Sequence, residues 1–393
     1  MSTEWVLVIT CAIGAAGALY AYLVFPALAV AMAARARRPH DSDHASRVGD
    51  GQRTATVVIP AYNEERCLEA RIRNVLATDY PRHLLEVVVV SDASTDRTND
   101  IARSFADDGV RLIVQETRRG KSAGLNKAMT LTRGEIIVFT DANASYSPAT
   151  IPTLVGYFER PEIGLVTGYT KYVASGDVAE TSNAYTAVER VIKRVESRWG
   201  CCVGADGAVF AMRRSLFRPL RHDDINDLVL PLSVIEQGFQ CVMADDAFCT
   251  EPPGASVDSE YRRQSRIANR TLRALWRHLR LLNPMRFGLF SFFLFSHKVV
   301  RMLAPLFLLL AFMSLAILAG MDAMYLAAAV ALFAVLAAAV DVSRRRESSR
   351  WLPMRLLRQG GVFLTINAAV LEGWWKFLRG QREVVWQHDR SGG

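Results

Sequence analysis

Thr56-Val57-Val58-Ile59-Pro60-Ala61-Tyr62-Asn63-Glu64-Glu65 is the stretch that decides the fold. A β-branched run stops at Pro60-Ala61-Tyr62-Asn63, and helical patterning follows over residues 65–77. Working outward, similar short apolar runs lie at 87–90, 112–114, 136–139 and 164–166. Helical stretches near 97–105, 122–131 and 148–158 separate them. Strand–helix alternation at this spacing predicts an α/β domain with a mostly parallel sheet covered by helices on both faces. In such a sheet the ligand site lies beyond the carboxyl ends of the strands.

The residues at those ends are polar. The second run ends at Ser91-Asp92 and the fourth at Thr140-Asp141-Ala142-Asn143. One aspartate after a strand is commonly a turn or cap residue, which is the expectation for Asp96 and Asp100. Two carboxylates at two parallel strand ends instead share one crevice, where they suit a ribose and a divalent ion on a diphosphate. Gly120-Lys121-Ser122 has the look of a phosphate loop, but Gln115 stands where that motif needs its first glycine.

The ends of the chain are of another character. Apolar residues make up 51% of the 393, and mean hydropathy is +0.13. Residues 5–34 carry no charge, enough helix to cross a ~30 Å hydrocarbon layer. Ala31-Met32-Ala33 resembles a signal-peptidase site, yet no basic residue precedes the run and it exceeds a signal core. Residues 303–320 and 323–340 read as a transmembrane hairpin, and 362–371 is too short to assign. Arg35, Arg37 and Arg38 follow the first span, and Arg344, Arg345, Arg346 and Arg350 follow the hairpin. Both basic flanks place the middle domain in the cytoplasm of a multi-pass plasma-membrane protein. The six cysteines lack metal-ligand spacing. The net charge of +8 fits a membrane surface, and no nucleic-acid motif accompanies it.

The segment 57–65, then Asp92, Gly120-Lys121-Ser122-Ala123-Gly124-Leu125-Asn126 and Asp141-Ala142-Asn143, resembles the family-2 glycosyltransferases. The branch it looks most like is the membrane one of cellulose, chitin and hyaluronan synthases. The likeness continues through Gly204-Ala205-Asp206-Gly207-Ala208, Asn226-Asp227 and residues 262–266. It implies a GT-A (Rossmann-like) fold, a nucleoside-diphosphate sugar donor, expected to be UDP-linked, and inversion at the anomeric carbon. By the same resemblance, Pro60, Ala61, Tyr62, Glu64, Asp92 and Lys121 hold the nucleotide. Asp141 and Asn143 take the place of the Asp-x-Asp motif that binds Mg2+ or Mn2+, and Arg266 faces the diphosphate. Gly204 and Asp206 lie toward the acceptor, and Asp227 stands for the catalytic base.

Inverting transfer needs such a base opposite the leaving diphosphate, whose charge a cation and an arginine neutralise. The competing role for Asp227 is a helix N-cap. Three departures stand out: Asn143 and Asn226 replace carboxylates, and Ile267 replaces the tryptophan after Arg266.

The expected organisation is therefore an anchor at 1–34, a linker at 35–53 and the GT-A domain at 54–260. Interfacial helices follow at 261–297, a transmembrane hairpin at 298–341 and a basic cytoplasmic segment with a short apolar stretch at 342–393. Arg266, Arg270, Arg273, Arg277 and Arg280 form one helical stripe, expected to face anionic headgroups. The partners implied are a nucleotide sugar, a glycan or lipid-linked acceptor and membrane lipids. The expected activity is extension of a growing polysaccharide, with export coupled to it. Single transfer onto a lipid-linked acceptor stays open, as does a non-catalytic donor-binding subunit. Oligomeric state is not encoded in these patterns.

Overall fold

The computed structural model describes residues 2–35, 53–173, 177–252, 257–344 and 352–383. Residues 36–52 of the expected linker, and Arg37, Arg38, Arg345, Arg346 and Arg350, lie outside them.

The strands are β1 Ala55–Ala61, β2 Leu85–Asp92, β3 Val110–Gln115, β4 Ile136–Thr140, β5 Ser145–Tyr146, β6 Ile163–Tyr172, β7 Val209–Arg213 and β8 Gln240–Glu251. They form one sheet in the order β3-β2-β1-β4-β7-β6-β8-β5. The first four strands pair in parallel, as the alternation predicts, and this half is the Rossmann-like part of a GT-A domain. β7 runs antiparallel between β4 and β6. β1 is a central strand, yet it contains Pro60. Its pairing with β4 ends at Val58–Phe139, so the missing N–H of Pro60 removes no ladder bond on that side.

The helices are α1 Thr3–Leu19, α2 Phe25–Arg35, α3 Leu68–Leu76, α4 Thr98–Ser104, α5 Lys121–Leu131, α6 Thr150–Gly156 and α7 Asp177–Arg198. They continue with α8 Asn226–Glu236, α9 Val257–Arg277, α10 Pro284–Phe287, α11 Leu289–Phe293, α12 Val300–Ala319, α13 Ala323–Arg344 and α14 Leu352–Leu378. Alternate strand residues serve two cores, as the period of two demands. Val57, Ile59, Val87 and Val89 join Leu68 and Ile72 of α3. Val58, Val88, Val90 and Phe139 join a cluster that also takes in Phe25, Ile192, Val195, Phe290 and Phe293. That second core fuses the sheet to helices that are long and apolar enough to cross a membrane.

Among the described residues, three helices are long and apolar enough to cross a membrane: Thr3–Met32, Leu289–Ala319 and Ala323–Ser343. Small residues let the first pack closely on the second. A Cβ on Gly14 would lie 2.6 Å from the Phe307 carbonyl oxygen and 2.8 Å from the Ala311 nitrogen.

The second span begins earlier than the charge-free run at 303–320 suggests. Its first turns contain His297, Lys298 and Arg301, which an apolar count rejects. His297 and Arg301 are accommodated by partners on α7: His297 meets Glu196 and Glu189, and Arg301 pairs with Glu189. Residues 362–371 lie inside α14, which packs on α13 and α9. A Cβ on Gly373 would come within 2.6 Å of the Ala268 Cβ.

The arginine stripe corrects the headgroup expectation. Arg277 reaches Asp223 (3.1 Å) and Asp224 (2.9 Å), and Arg280 reaches Glu236 (2.6 Å). Arg273 donates to the Gln381 carbonyl (2.8 Å), while Trp276 is exposed. Arg273 and Arg277 turn inward, where buried Asp223 and Asp224 need guanidinium partners, while Arg280 stays exposed.

Candidate active site

The first wall of the site is built by the loops after β1 and β2. Asn63 adopts a left-handed backbone (φ 52°), and its side-chain oxygen accepts from the Thr95 N–H at 2.8 Å. Ala93 is also left-handed (φ 57°), a cost that such a site loop must carry. Glu64 is buried, its N–H bonded to Thr98 Oγ1 (2.8 Å). The Arg118 guanidinium stacks 3.7 Å above the Tyr62 ring, making a flat, cationic lip next to Pro60 and Ala61.

Asp92, at the end of β2, is buried and accepts three hydrogen bonds. Gln115 Nε2 (2.8 Å) and the Arg119 N–H (2.7 Å) meet Oδ1, and the Gly120 N–H (2.9 Å) meets Oδ2. Gly120 needs its φ of 85° to make that turn. Asp92 thus fixes the loop from which α5 starts, and Lys121 is the first residue of that helix.

Lys121 Nζ lies 2.7 Å from Asp141 Oδ1. Fully buried Arg71 supports the end of β4 by donating from Nη2 to Thr140 Oγ1 at 2.7 Å. Close by is Glu251, the last residue of β8, which no sequence motif singled out. Burial, and the charges of Asp141 and Asp206, push its carboxyl up to about 8. Its Oε1 is buried without a hydrogen-bond partner.

No group of three or more His, Cys, Asp or Glu that could hold a metal ion occurs among the described residues. A lone carboxylate with an amide oxygen still suits Mg2+ or Mn2+ when a diphosphate supplies other ligands. The unsatisfied oxygen of Glu251 next to Asp141 fits such a cation. The residues present are therefore compatible with one shared with the donor.

Asp227 lies in the first turn of α8, whose N-cap is Ile225, so the capping role does not apply. Its Oδ2 is 3.1 Å from where a Cβ on Gly207 would sit, and its carbonyl accepts from the Ala205 N–H at 2.7 Å. The loop 204–208 therefore wraps this residue, and a side chain at Gly207 would press on the carboxylate. Burial raises the Asp227 carboxyl, Lys121, Lys193 and Lys298 pull it down, and Asp206 adds to the rise. Asp206 itself is committed to the loop: it accepts from the Thr170 N–H (2.9 Å), Thr170 Oγ1 (2.7 Å) and the Ala208 N–H (3.3 Å).

Arg266 is half-buried on α9. One turn further, Arg270 is within charge range of Arg266 and Asp227, and burial lowers its pKa. Arg270, Lys193, Lys298 and Glu251 were not named as site residues from sequence. The signals available were the place of Arg270 in the arginine stripe and the charged residues His297, Lys298 and Arg301 at the start of an apolar run.

A sheet of this topology, with polar strand ends around one crevice, defines an α/β domain of the GT-A kind. Residues 56–220 match the sequence model of glycosyl transferase family 2. It is 24% identical over 269 residues to a probable glycosyltransferase, YdaM, of Bacillus subtilis, covering 62% of this chain and 64% of that one. It is 32% identical over 121 residues to the dodecaprenyl-phosphate galacturonate synthase of Rhizobium johnstonii, covering 30% and 36%. The chain thus spans between about one third and two thirds of the length of these relatives. Among solved structures, the mannosyltransferase PcManGT of Pyrobaculum calidifontis, in complex with GDP-Man and Mn2+, superposes with a TM-score of 0.73. The identity is 24%, over 95% of this chain and all of that one, and the likeness is one of fold.

Proposed function

We propose that this chain is an inverting glycosyltransferase held at a membrane, moving a sugar from a nucleoside diphosphate onto a lipid-carried acceptor. One observation carries the reading. The Asp227 carboxylate faces a glycine-lined loop at the junction between the strand ends and the helix that enters the membrane. An acceptor anchored in the bilayer reaches that junction without leaving it. The printed name of the Rhizobium relative, which refers to a prenyl-phosphate lipid, supports the same class of acceptor.

In this reading Tyr62, Arg118 and the Asp92 loop receive the nucleoside. Lys121, Arg266 and Arg270 face the charge that accumulates on the leaving diphosphate. A divalent cation held by Asp141 and Asn143 would neutralise more of it. Asp227 takes the acceptor proton as the new bond forms on the opposite face of the sugar, which inverts the anomeric carbon. The basic flanks favour a cytoplasmic site, with donor drawn from that side.

The test is nucleotide release from a panel of UDP- and GDP-sugars in detergent, with and without Mg2+ or Mn2+ and with lipid acceptors, followed by product sizing. One sugar added per lipid is expected. A ladder of products would instead support polysaccharide extension. No release with any donor would overturn the enzymatic reading and leave a donor-binding subunit.

A further inference from the structure

Glu196, in the last turn of α7, is fully buried, and its carboxylate joins two parts of the molecule. Oε1 meets His297 Nδ1 at 2.6 Å, and Oε2 accepts from the Val203 N–H at 3.1 Å. His297 belongs to the membrane-length helix Leu289–Ala319. Val203 immediately precedes the loop 204–208 that wraps Asp227.

His297 is held from several sides. It is 1% exposed, and its Nε2 lies 3.0 Å from Glu189 Oε2. Glu189 also pairs with Arg301, one turn further along the same helix. The Phe25 ring of α2 stacks on the imidazole, with centroids 5.9 Å apart. In close-packed surroundings such a ring moves only with its helix. Glu196 is fixed in turn, because its carbonyl accepts from the Trp199 N–H (3.1 Å) and the Cys201 N–H (2.9 Å).

The chain beyond Glu196 leads directly to Asp227. The Cys202 N–H donates to the Cys241 carbonyl (3.0 Å), and the Val203 N–H is taken by Glu196. Two residues on, the Ala205 N–H donates to the Asp227 carbonyl at 2.7 Å. The Asp206 N–H then donates to Thr167 Oγ1 at 2.8 Å, which closes the loop onto β6. A buried N–H deprived of its acceptor is costly, so without the Glu196 carboxylate the chain at Val203 must shift to find another. A shift of ~1 Å in a positioned catalytic group is enough to slow a reaction by about 100-fold.

The donor side is fixed by other contacts. Asp92 holds the turn at Arg119 and Gly120, and Lys121 pairs with Asp141. None of these bonds passes through Glu196 or His297. We infer that Glu196 and His297 are positioning residues for Asp227, which set the loop 203–207 from the membrane-length helix. This rests on the proposed transferase reading and adds to it residues that act only through the base. The competing role is plain packing, in which the buried ion cluster does no more than hold α7 on the helix.

The experiment is hydrogen–deuterium exchange on the full chain in detergent, with donor affinity by calorimetry and turnover by nucleotide release on the same preparations. Glu196→Ala should speed exchange of the amides at 203–208 by about 10-fold or more, with β1 and β2 unchanged. Turnover should fall by about 10- to 100-fold while donor affinity stays within about 3-fold. His297→Ala should give the same split to a smaller extent, and it carries the test if Glu196→Ala does not fold. Glu196→Gln keeps an oxygen for the Val203 N–H and should retain most of the turnover. Unchanged exchange at 203–208 in the alanine variants would overturn the clamp. Faster exchange across the whole domain, with donor affinity lost in proportion to turnover, would overturn positioning in favour of packing. Because exchange needs no turnover, absent nucleotide release from the unaltered protein would sink the transferase reading while the clamp stood or fell on the exchange data.

Discussion

Lys121 Nζ lies 2.7 Å from Asp141 Oδ1, so the carboxylate expected to carry the cation is already paired with the first residue of α5. A cation and a diphosphate entering together would part this pair. Asp141 would turn to the metal and Lys121 to the phosphate. Metal and donor should therefore bind with mutual cooperativity. Asp141→Ala should weaken donor affinity in Mg2+ or Mn2+ by roughly 10-fold or more, read by calorimetry. Asn143→Asp should raise metal affinity in the nucleotide-free protein, because a carboxylate binds a hard cation better than an amide. Tight metal binding without nucleotide, unchanged in Asn143→Asp, would show that this residue only shapes the turn.

Glu251 gives a pH-dependent prediction. Its carboxyl is raised to about 8, chiefly by burial, from an ordinary value near 4.5. Folding then takes up a proton between those two values. The resulting cost is absent below about 4.5, grows as pH rises and is complete above about 8. Glu251→Gln removes the titration, so it should stabilise the protein at pH 8.5 by about 1–3 kcal/mol and have a smaller effect at pH 5.5. Thermal unfolding at the two pH values checks this. An equal shift at both would mean that the carboxyl is not held neutral.

Much of the donor side is legible in the sequence and much of the acceptor side is not. Strand-end turns such as Ser91-Asp92 and Thr140-Asp141 declare themselves because β-branched runs stop at them. β7 and α7 were not anticipated from the sequence. Val209–Arg213 is only five residues long and pairs in the opposite sense, while Asp177–Arg198 is polar enough to pass for surface. Lys298 and Arg301 lay hidden for a related reason. A hydropathy count treats a charge as the end of a span, and only the fold brings Glu189 to Arg301 and both Glu189 and Glu196 to the neighbouring His297. The direction in which the arginine stripe faces was likewise set by a distant loop, at Asp223 and Asp224.

The close packing of α1 on α12 should be sensitive to side-chain size. Gly14→Leu would drive a side chain into the Phe307 carbonyl and Ala311. The expected loss is about 1–3 kcal/mol, read as a lower unfolding midpoint in detergent. An unchanged midpoint would mean that the two helices do not pack this closely.

The proposed cytoplasmic orientation rests on the arginines that flank the apolar segments. Ser104 is exposed at the end of α4, whereas Cys241 is buried and unsuitable as a probe. An impermeant thiol reagent should miss Ser104→Cys in intact cells and label it after permeabilisation. Labelling in intact cells would reverse the topology.

The central claim is that Asp227 removes the acceptor proton. It is tested most directly by nucleotide release from the folded Asp227→Asn protein at saturating donor. A fall in turnover of ~10²–10⁴-fold, with donor affinity moving far less, is what the account predicts. Turnover within a few-fold of the unaltered protein would contradict it and remove Asp227 as the base.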